Sequence, residues 1–257
     1  MTQLYWDHIV HYVNDLDQVI QQFEKNGLVA FHGGSHTQWG TGNALSYFGL
    51  SYIEFLSIED RQLIEQLDTP NDVVKDAIKY LPEYEVMSRM ALRTDDIDQV
   101  ASELAKTNLS LSPIMDGKRI DAEGHLIEWR MMTISGDFSG LSYPFVIQWK
   151  DSDEERQSKR EKAGIPLNHP IGEVTIAEGV FEVTDPEASA QHWRKLFGFD
   201  VIEQDGTCVK LAIGNQSLIF KKGTANQLKK IVMDIDSDQG ANKSIQMGAG
   251  EYLFRKR

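Results

Sequence analysis

The residues with the most chemical reach lie in and around one repeated stretch. Asp7-His8-Ile9-Val10-His11-Tyr12-Val13-Asn14-Asp15-Leu16-Asp17-Gln18-Val19 returns as Ser88-Arg89-Met90-Ala91-Leu92-Arg93-Thr94-Asp95-Asp96-Ile97-Asp98-Gln99-Val100. Aligning the copies sets His8 against Arg89. An imidazole can carry a proton near neutral pH or ligate a metal. A guanidinium is a permanent cation and can do neither. Arg119 and Arg130 join Arg89 as groups able to grip a carboxylate or phosphate with two hydrogen bonds. Trp39, Asn43, Trp129 and Trp149 offer the flat walls and polar handle that a small-ligand pocket needs. His11 and Arg93 point to the other sheet face, because strand side chains alternate. The chain carries no Gly-x-Ser-x-Gly, His-Glu-x-x-His, Walker or dinucleotide motif.

The elements that must hold these groups follow from periodicity. Residues 4–13 read as a strand with Trp6, His8, Val10 and Tyr12 on one face. Asn14 or Asp15 caps a helix striped by Leu16, Val19, Ile20 and Phe23, and Gly27 stops it. A strand at Leu28 to Phe31 leads into a glycine-rich loop, 33–43, dense in side chains able to bind ligand. Ala44 to Phe48 and Ser51 to Ile58 then form a hairpin through Gly49. Residues 59–84 hold two short helices split near Pro70, a connector beside the sheet.

The same order returns over 85–152, with strands at 87–94, 109–114, 126–134 and 145–150 and a charged loop at 116–124. A polar, helix-prone run and two prolines make 153–171 a linker. A looser third copy begins near Val174, with its helix at about 186–197 and strands at 209–213 and 217–221. The expected organisation is module one at 1–63, connector 64–84, module two at 85–152, linker 153–171 and a partly degenerate third module at 172–257. One strand-helix-three-strand unit cannot bury both faces of its sheet alone. The expectation is an α+β fold: repeated βαβββ modules forming cupped mixed sheets with helices outside.

Composition narrows the function. The 257 residues are 41% hydrophobic, and no apolar run approaches the roughly 18 residues of a membrane span. A net charge of −13 argues against nucleic acid, whose binding rests on Lys and Arg neutralising phosphates. The single cysteine, Cys208, precludes an internal disulfide and a Cys-rich zinc site. It reads as a buried strand thiol. With no basic-then-apolar leader at the N-terminus, the expected compartment is the cytoplasm.

The βαβββ repeat resembles the vicinal oxygen chelate superfamily, the fold of glyoxalase I and the extradiol dioxygenases. Three segments are similar to its glyoxalase-like domain family. They are His36 to Asn43 leading to Tyr52-Ile53-Glu54-Phe55, Arg119 through Gly124 to Trp129-Arg130, and Pro144-Phe145-Val146-Ile147-Gln148-Trp149. The resemblance implies a cup that holds a small, anionic or oxygenated molecule, with lyase, dioxygenase or isomerase chemistry. A non-catalytic binding or sequestration protein is the alternative, and a homodimer is compatible with either. Metal-dependent members take ligands from the first and last strands of each module, which here places His8 and Glu54 in those roles. The repeat shifts them to Arg89 and Gln148, a poor ligand set, so no cofactor is expected and a divalent metal is the minor alternative. Glu54 and His8 are then the expected catalytic pair, with Trp39, Asn43, Arg89, Arg119, Arg130, Gln148 and Trp149 around the substrate. Glu54 is further expected to pair with Arg89 where an ion would sit.

Overall fold

The structure is a computed structural model and describes residues 2–120, 124–166, 168–238 and 240–257. Its first half runs β1 (Tyr5–Tyr12), α1 (Leu16–Lys25), β2 (Phe31–His36), β3 (Thr41–Phe48) and β4 (Ser51–Ile58). The connector follows as α2 (Arg61–Gln66) and α3 (Asp72–Tyr80). The second copy runs β5 (Val86–Arg93), α4 (Ile97–Leu104), β6 (Ser110–Leu111), β7 (Met115–Ile120) and β8 (Leu126–Met132). It continues through the short β9 (Ile134–Ser135), β10 (Asp137–Phe138) and β11 (Leu141–Ser142) to β12 (Phe145–Trp149). Then come α5 (Asp153–Lys162), β13 (Val174–Val183), α6 (Pro186–Phe197), β14 (Asp200–Gln204), β15 (Cys208–Ile213) and β16 (Gln216–Lys222). The chain ends in β17 (Gln227–Ile235), β18 (Ser244–Met247) and β19 (Gly250–Lys256).

The repeated Asp-(Leu/Ile)-Asp-Gln-Val motif acts as a start signal twice. Asp15 accepts from Gln18 N and Asp96 from Gln99 N, both at 2.9 Å, so each helix begins on a carboxylate cap. The two copies build one eight-stranded sheet, ordered β2-β3-β4-β1-β5-β12-β8-β7. β1 lies parallel to β4 and β5 parallel to β12, while β1 and β5 run antiparallel at the centre. The sequence repeat thus becomes a local two-fold across the middle of the sheet. Its outer edges, β2 and β7, meet through side chains. Gln38 Nε2 donates to Lys118 O at 3.1 Å and Arg119 Nη1 donates to Gly33 O. The connector covers the concave face, where Tyr12 Oη donates to Val73 O at 2.6 Å.

A second sheet, ordered β14-β15-β16-β13-β17-β19-β18, packs its back against the back of the first. Trp6, Phe23, Phe55 and Met87 share one core with Phe181, Trp193, Tyr252 and Phe254. His11 Nδ1 lies 2.5 Å from Tyr252 Oη across that junction. A Cβ at Gly179 would come within 2.8 Å of Trp6 Cη2, which is why only glycine lets the indole in. No helix of the described residues is long and apolar enough to cross a membrane.

Several local expectations shift. The second strand is Phe31–His36, not Leu28 to Phe31, so most of the presumed loop, 33–36 and 41–43, belongs to the paired strands β2 and β3. Val29 instead gives its N–H to His169 Nδ1 at 2.9 Å. The charged stretch expected as a loop is largely strand β7, paired with β8. Its residues 121–123 lie outside the described residues. Trp6 leaves the His8 face, because the β1–β5 register slips between Trp6 and His8.

Candidate functional site

The concave face of the first sheet is a cup whose floor is α3. Alternation along β12 turns Phe145, Ile147 and Trp149 inward, and along β8 it turns Trp129 and Met131 inward. The opposite wall carries His8 of β1, His36 of β2, Asn43 of β3 and Glu54 of β4. About 520 Å³ of the cup lies outside atoms, mouth included, but the centre of a water molecule reaches only about 50 Å³ of it. An occupant is therefore small, or its head group is.

The register slip in β1 decides the chemistry of His8. With Trp6 paired to Leu92 and His8 to Ala91, Asp7 is the extra residue of a bulge and turns inward instead of away. Asp7 Oδ1 lies 2.7 Å from His8 Nδ1. Asp7 Oδ2 accepts from Trp149 Nε1 at 2.9 Å and faces Arg156 at 3.5 Å and Arg93 at 3.6 Å. Burial works to raise the Asp7 pKa, but Arg156 and the hydrogen bonds from His8 and Trp149 outweigh it and hold the carboxyl below its usual value. The Asp7 carboxylate accepts a hydrogen bond from His8 Nδ1 and aims His8 Nε2 into the cup. The His8 ring is pinned by Tyr52, stacked at 4.4 Å, and by the edge contact of Phe145 at 5.4 Å.

His8 Nε2 stands 3.5 Å from Glu54 Oε2. Asn43 Nδ2 donates to the other oxygen, Oε1, at 2.6 Å. A Cβ at Gly33 would lie 2.3 Å from Asn43 Oδ1, so the glycine is what lets Asn43 turn toward Glu54. His36 Nδ1 sits 3.1 Å from Thr41 Oγ1, which leaves its Nε2 4.0 Å from Glu54 Oε1. Burial depresses the His36 pKa below its ordinary value and outweighs the pull of Glu54. The aromatic wall is a bent row: Trp39 to Trp129 at 6.3 Å and Trp129 to Trp149 at 5.7 Å, each pair inclined by 57°. Trp129 lies against the bare backbone of Gly117, where a Cβ would come within 2.3 Å of the ring.

The structure thus brings His8, Trp39, Asn43, Glu54, Arg119 and Trp149 to one cavity. Three expected neighbours are elsewhere. Arg89 sits one rung below Ala91 on β5 and is captured by the connector: its Nε donates to Asp76 at 2.6 Å, and its Nη1 to Ile134 O and Tyr143 O at 3.0 and 3.1 Å. It does not touch Glu54. Arg130 faces the helix layer and holds Asp98 of α4 with two bonds, at 2.7 and 2.9 Å. Gln148 also faces that layer, where its Oε1 accepts from Ile97 N and its Nε2 donates to Asp95 O. Both point away because their strand neighbours Trp129 and Trp149 point in.

Val10 pairs with Glu54 and its repeat mate Ala91 pairs with Phe145, so Phe145 is the true counterpart of Glu54. A paired-module metal site does not fit these residues: the second half offers a phenyl ring and a diverted arginine. Nor do His8, His36 and Glu54 form a group able to hold a metal ion, and no three His, Cys, Asp or Glu side chains among the described residues do. Asp7, His36, Tyr52 and Arg156 escaped the sequence reading. His36 stood in the ligand-rich glycine stretch, and both His36 and Tyr52 lay in the first family-like segment without being singled out.

Comparison with known proteins agrees with this geometry. A sequence model of the family described as glyoxalase-like domain matches residues 6–197. No curated protein matches the chain. A hypothetical protein from Staphylococcus aureus superposes with a TM-score of 0.86 at 22% identity, over 99% of both chains. A triple-substituted 4-hydroxymandelate synthase from Streptomyces coelicolor superposes with a TM-score of 0.57 at 11% identity, over 92% of this chain and 72% of its own. The 2,2',3-trihydroxybiphenyl 1,2-dioxygenase of Sphingomonas wittichii does so at 0.54 and 11%, over 100% and 90%. At these identities the likeness is one of fold.

Proposed function

The chain belongs to the glyoxalase-like domain family of the vicinal oxygen chelate superfamily, and on that premise we propose that its cup binds a small oxygenated molecule and moves a proton on it through His8 and Glu54. The observation that carries this reading is the alignment Asp7–His8–Glu54, which ends at an open position in the cup. With His8 Nδ1 turned to the Asp7 carboxylate, His8 Nε2 and Glu54 Oε2 face each other at 3.5 Å. A ligand C–H or O–H presented to both atoms from the cup can give its proton to one and receive one from the other. That is the chemistry of isomerisation, epimerisation or elimination next to a carbonyl. Asn43 would hold Glu54 in place, and the tryptophan row would set the orientation of the ligand.

The row of three tryptophans also favours a second reading, in which the same molecule is sequestered without turnover. The two are separated by deuterium exchange. A panel of small 2-hydroxy ketones, 2-oxo acids and 1,2-dicarbonyls is incubated with the protein in D2O and followed by proton NMR. Loss of the α-proton signal above the buffer rate, abolished in Glu54→Gln, supports proton transfer. Line broadening of a panel member without exchange supports sequestration. Neither effect with any member sinks the proton-transfer reading.

A further inference from the structure

Glu54 is a buried carboxylate whose side chain is only 11% exposed. Among the described residues no lysine or arginine comes within 4.0 Å of it; its neighbours are Asn43, His8 and His36. A buried carboxylate without a permanent counter-charge is costly. Asp7, the carboxylate behind His8, is by contrast served by Arg156 and Arg93. Beside Glu54, Asn43 Oδ1 is buried with no hydrogen-bond partner at all. His36 stays neutral near pH 7, because burial lowers its pKa. Arg119, the cup's own guanidinium, donates to the Gly33 carbonyl at the seam between β2 and β7. This wall therefore turns one carboxylate, Glu54, into the cup, with an amide and two imidazoles beside it and no lysine or arginine within 4.0 Å.

The facing wall has the chemistry of a cation site. Trp39, Trp129 and Trp149 form three planes inclined by 57° from one to the next, and Trp149 already carries the Arg156 guanidinium over its ring at 4.4 Å. Indole faces attract ammonium groups through their quadrupole, and more strongly where water is excluded. Of the three arginines that had suggested an anion, Arg89 and Arg130 lie outside the cup, and Arg119, which lines it, turns Nη1 to the Gly33 carbonyl. The net charge of −13 adds a general pull on cations. Space for only about 50 Å³ of water centres admits a head group of a few atoms and not a bulky one.

We propose that the cup receives the ammonium head of a small organic cation, a primary or N-methylated amine. Glu54 is its counter-ion, and Trp39 and Trp129, beside Trp149, form its wall. This rests on the cup being the ligand site and narrows its substrate to one that carries an amine.

The test uses three probes of one shape and three charges: propylammonium, 1-propanol and propionate. Each is titrated into the full chain at pH 7, and the indole N–H signals of Trp39, Trp129 and Trp149 are followed by NMR. The expected result is movement of these signals by propylammonium, with an affinity at least about tenfold above that for 1-propanol and no response to propionate. Glu54→Gln should collapse the preference to about twofold or less while 1-propanol still binds. The wild-type ranking decides the matter even where the variant folds poorly. Equal or stronger binding of 1-propanol or propionate at the same indoles overturns the cation assignment and leaves the cup a ligand site. No shift by propylammonium up to saturation also overturns it. The deuterium-exchange assay judges the proton-transfer reading independently.

Discussion

Asp7→Asn is the substitution that most directly probes how the site is built. The side chain keeps its shape and loses its charge. Three interactions suffer together: the 2.7 Å contact with His8, and the ion pairs with Arg156 and Arg93 at 3.5 and 3.6 Å. Removing one partner from a buried ionic cluster costs about 3–5 kcal/mol, because the remaining charges stay buried. The amide oxygen can still accept from Trp149, which favours the lower end. For a chain of this size that is a fall in Tm of about 6–20 °C. The lowered pKa of Asp7 fixes the pH sense. Its contribution is present above the ordinary carboxylate pKa and is lost as pH falls through the folded-state value, so Asp7→Asn should flatten that part of the acid limb. Nitrogen-15 NMR should show His8 leaving its single Nδ1–H tautomer. A double-mutant cycle with Arg156→Gln should give a coupling of about 0.5–3 kcal/mol. Asp98→Asn, at a solvated pair with Arg130, serves as the control and should leave the midpoint unmoved. A change below about 0.5 kcal/mol for Asp7→Asn, with His8 signals unaltered, would refute the account of the bulge.

Two further outcomes follow from contacts away from the cup. Arg89→Ala should cost about 3–5 kcal/mol by thermal melting, since Asp76 and Asp72 lose a buried cation; zinc calorimetry should show no gain in affinity, because Glu54 was never its partner. His169, with its pKa near 4, and His11, near 3, are held neutral by burial. Each folded-state value lies below the unfolded one, so each erodes stability by about 1.4 kcal/mol per pH unit as pH drops from about 6.5 toward the folded pKa. His169→Asn keeps an acceptor for Val29 N–H and should reduce the slope of stability against pH between about 6.5 and 4, as read by urea titration; an unchanged slope would remove His169 from the acid response.

The repeat was legible because it is written in local chemistry. An Asp cap and an apolar stripe identify α1 and α4 without tertiary help, and Gly27 marks where the first of them stops. The inward turn of Asp7 was not legible, since a bulge depends on how β1 pairs with β5, and that pairing spans more than eighty residues. Arg89 was misjudged for a related reason: its position in the repeat matches His8, but the connector helix α3 has no counterpart in the second half and takes the guanidinium for itself. Gln148 could have been placed correctly. It adjoins Trp149, and two consecutive strand residues cannot both face one cavity. The second half of the first sheet shows how a repeat drifts, keeping its backbone while Phe145 replaces the carboxylate and leaves the chemistry to one side.

The junction of the two sheet backs bears on how the chain reaches its final form. His11 and Tyr252 touch across 241 positions of sequence. Trp6, Phe55 and Met87 find much of their cover in Phe181, Trp193, Tyr252 and Phe254. During synthesis from the N-terminus, the central strands β1 and β5 can pair early, yet their apolar backs face water until β13 and then β17 to β19 emerge. Contacts so distant in sequence are slow to close, and uncovered sheet faces are sticky while they wait. The first strand made is thus among the last to be sealed, and the nascent first sheet is the stage at which a chaperone would have something to hold.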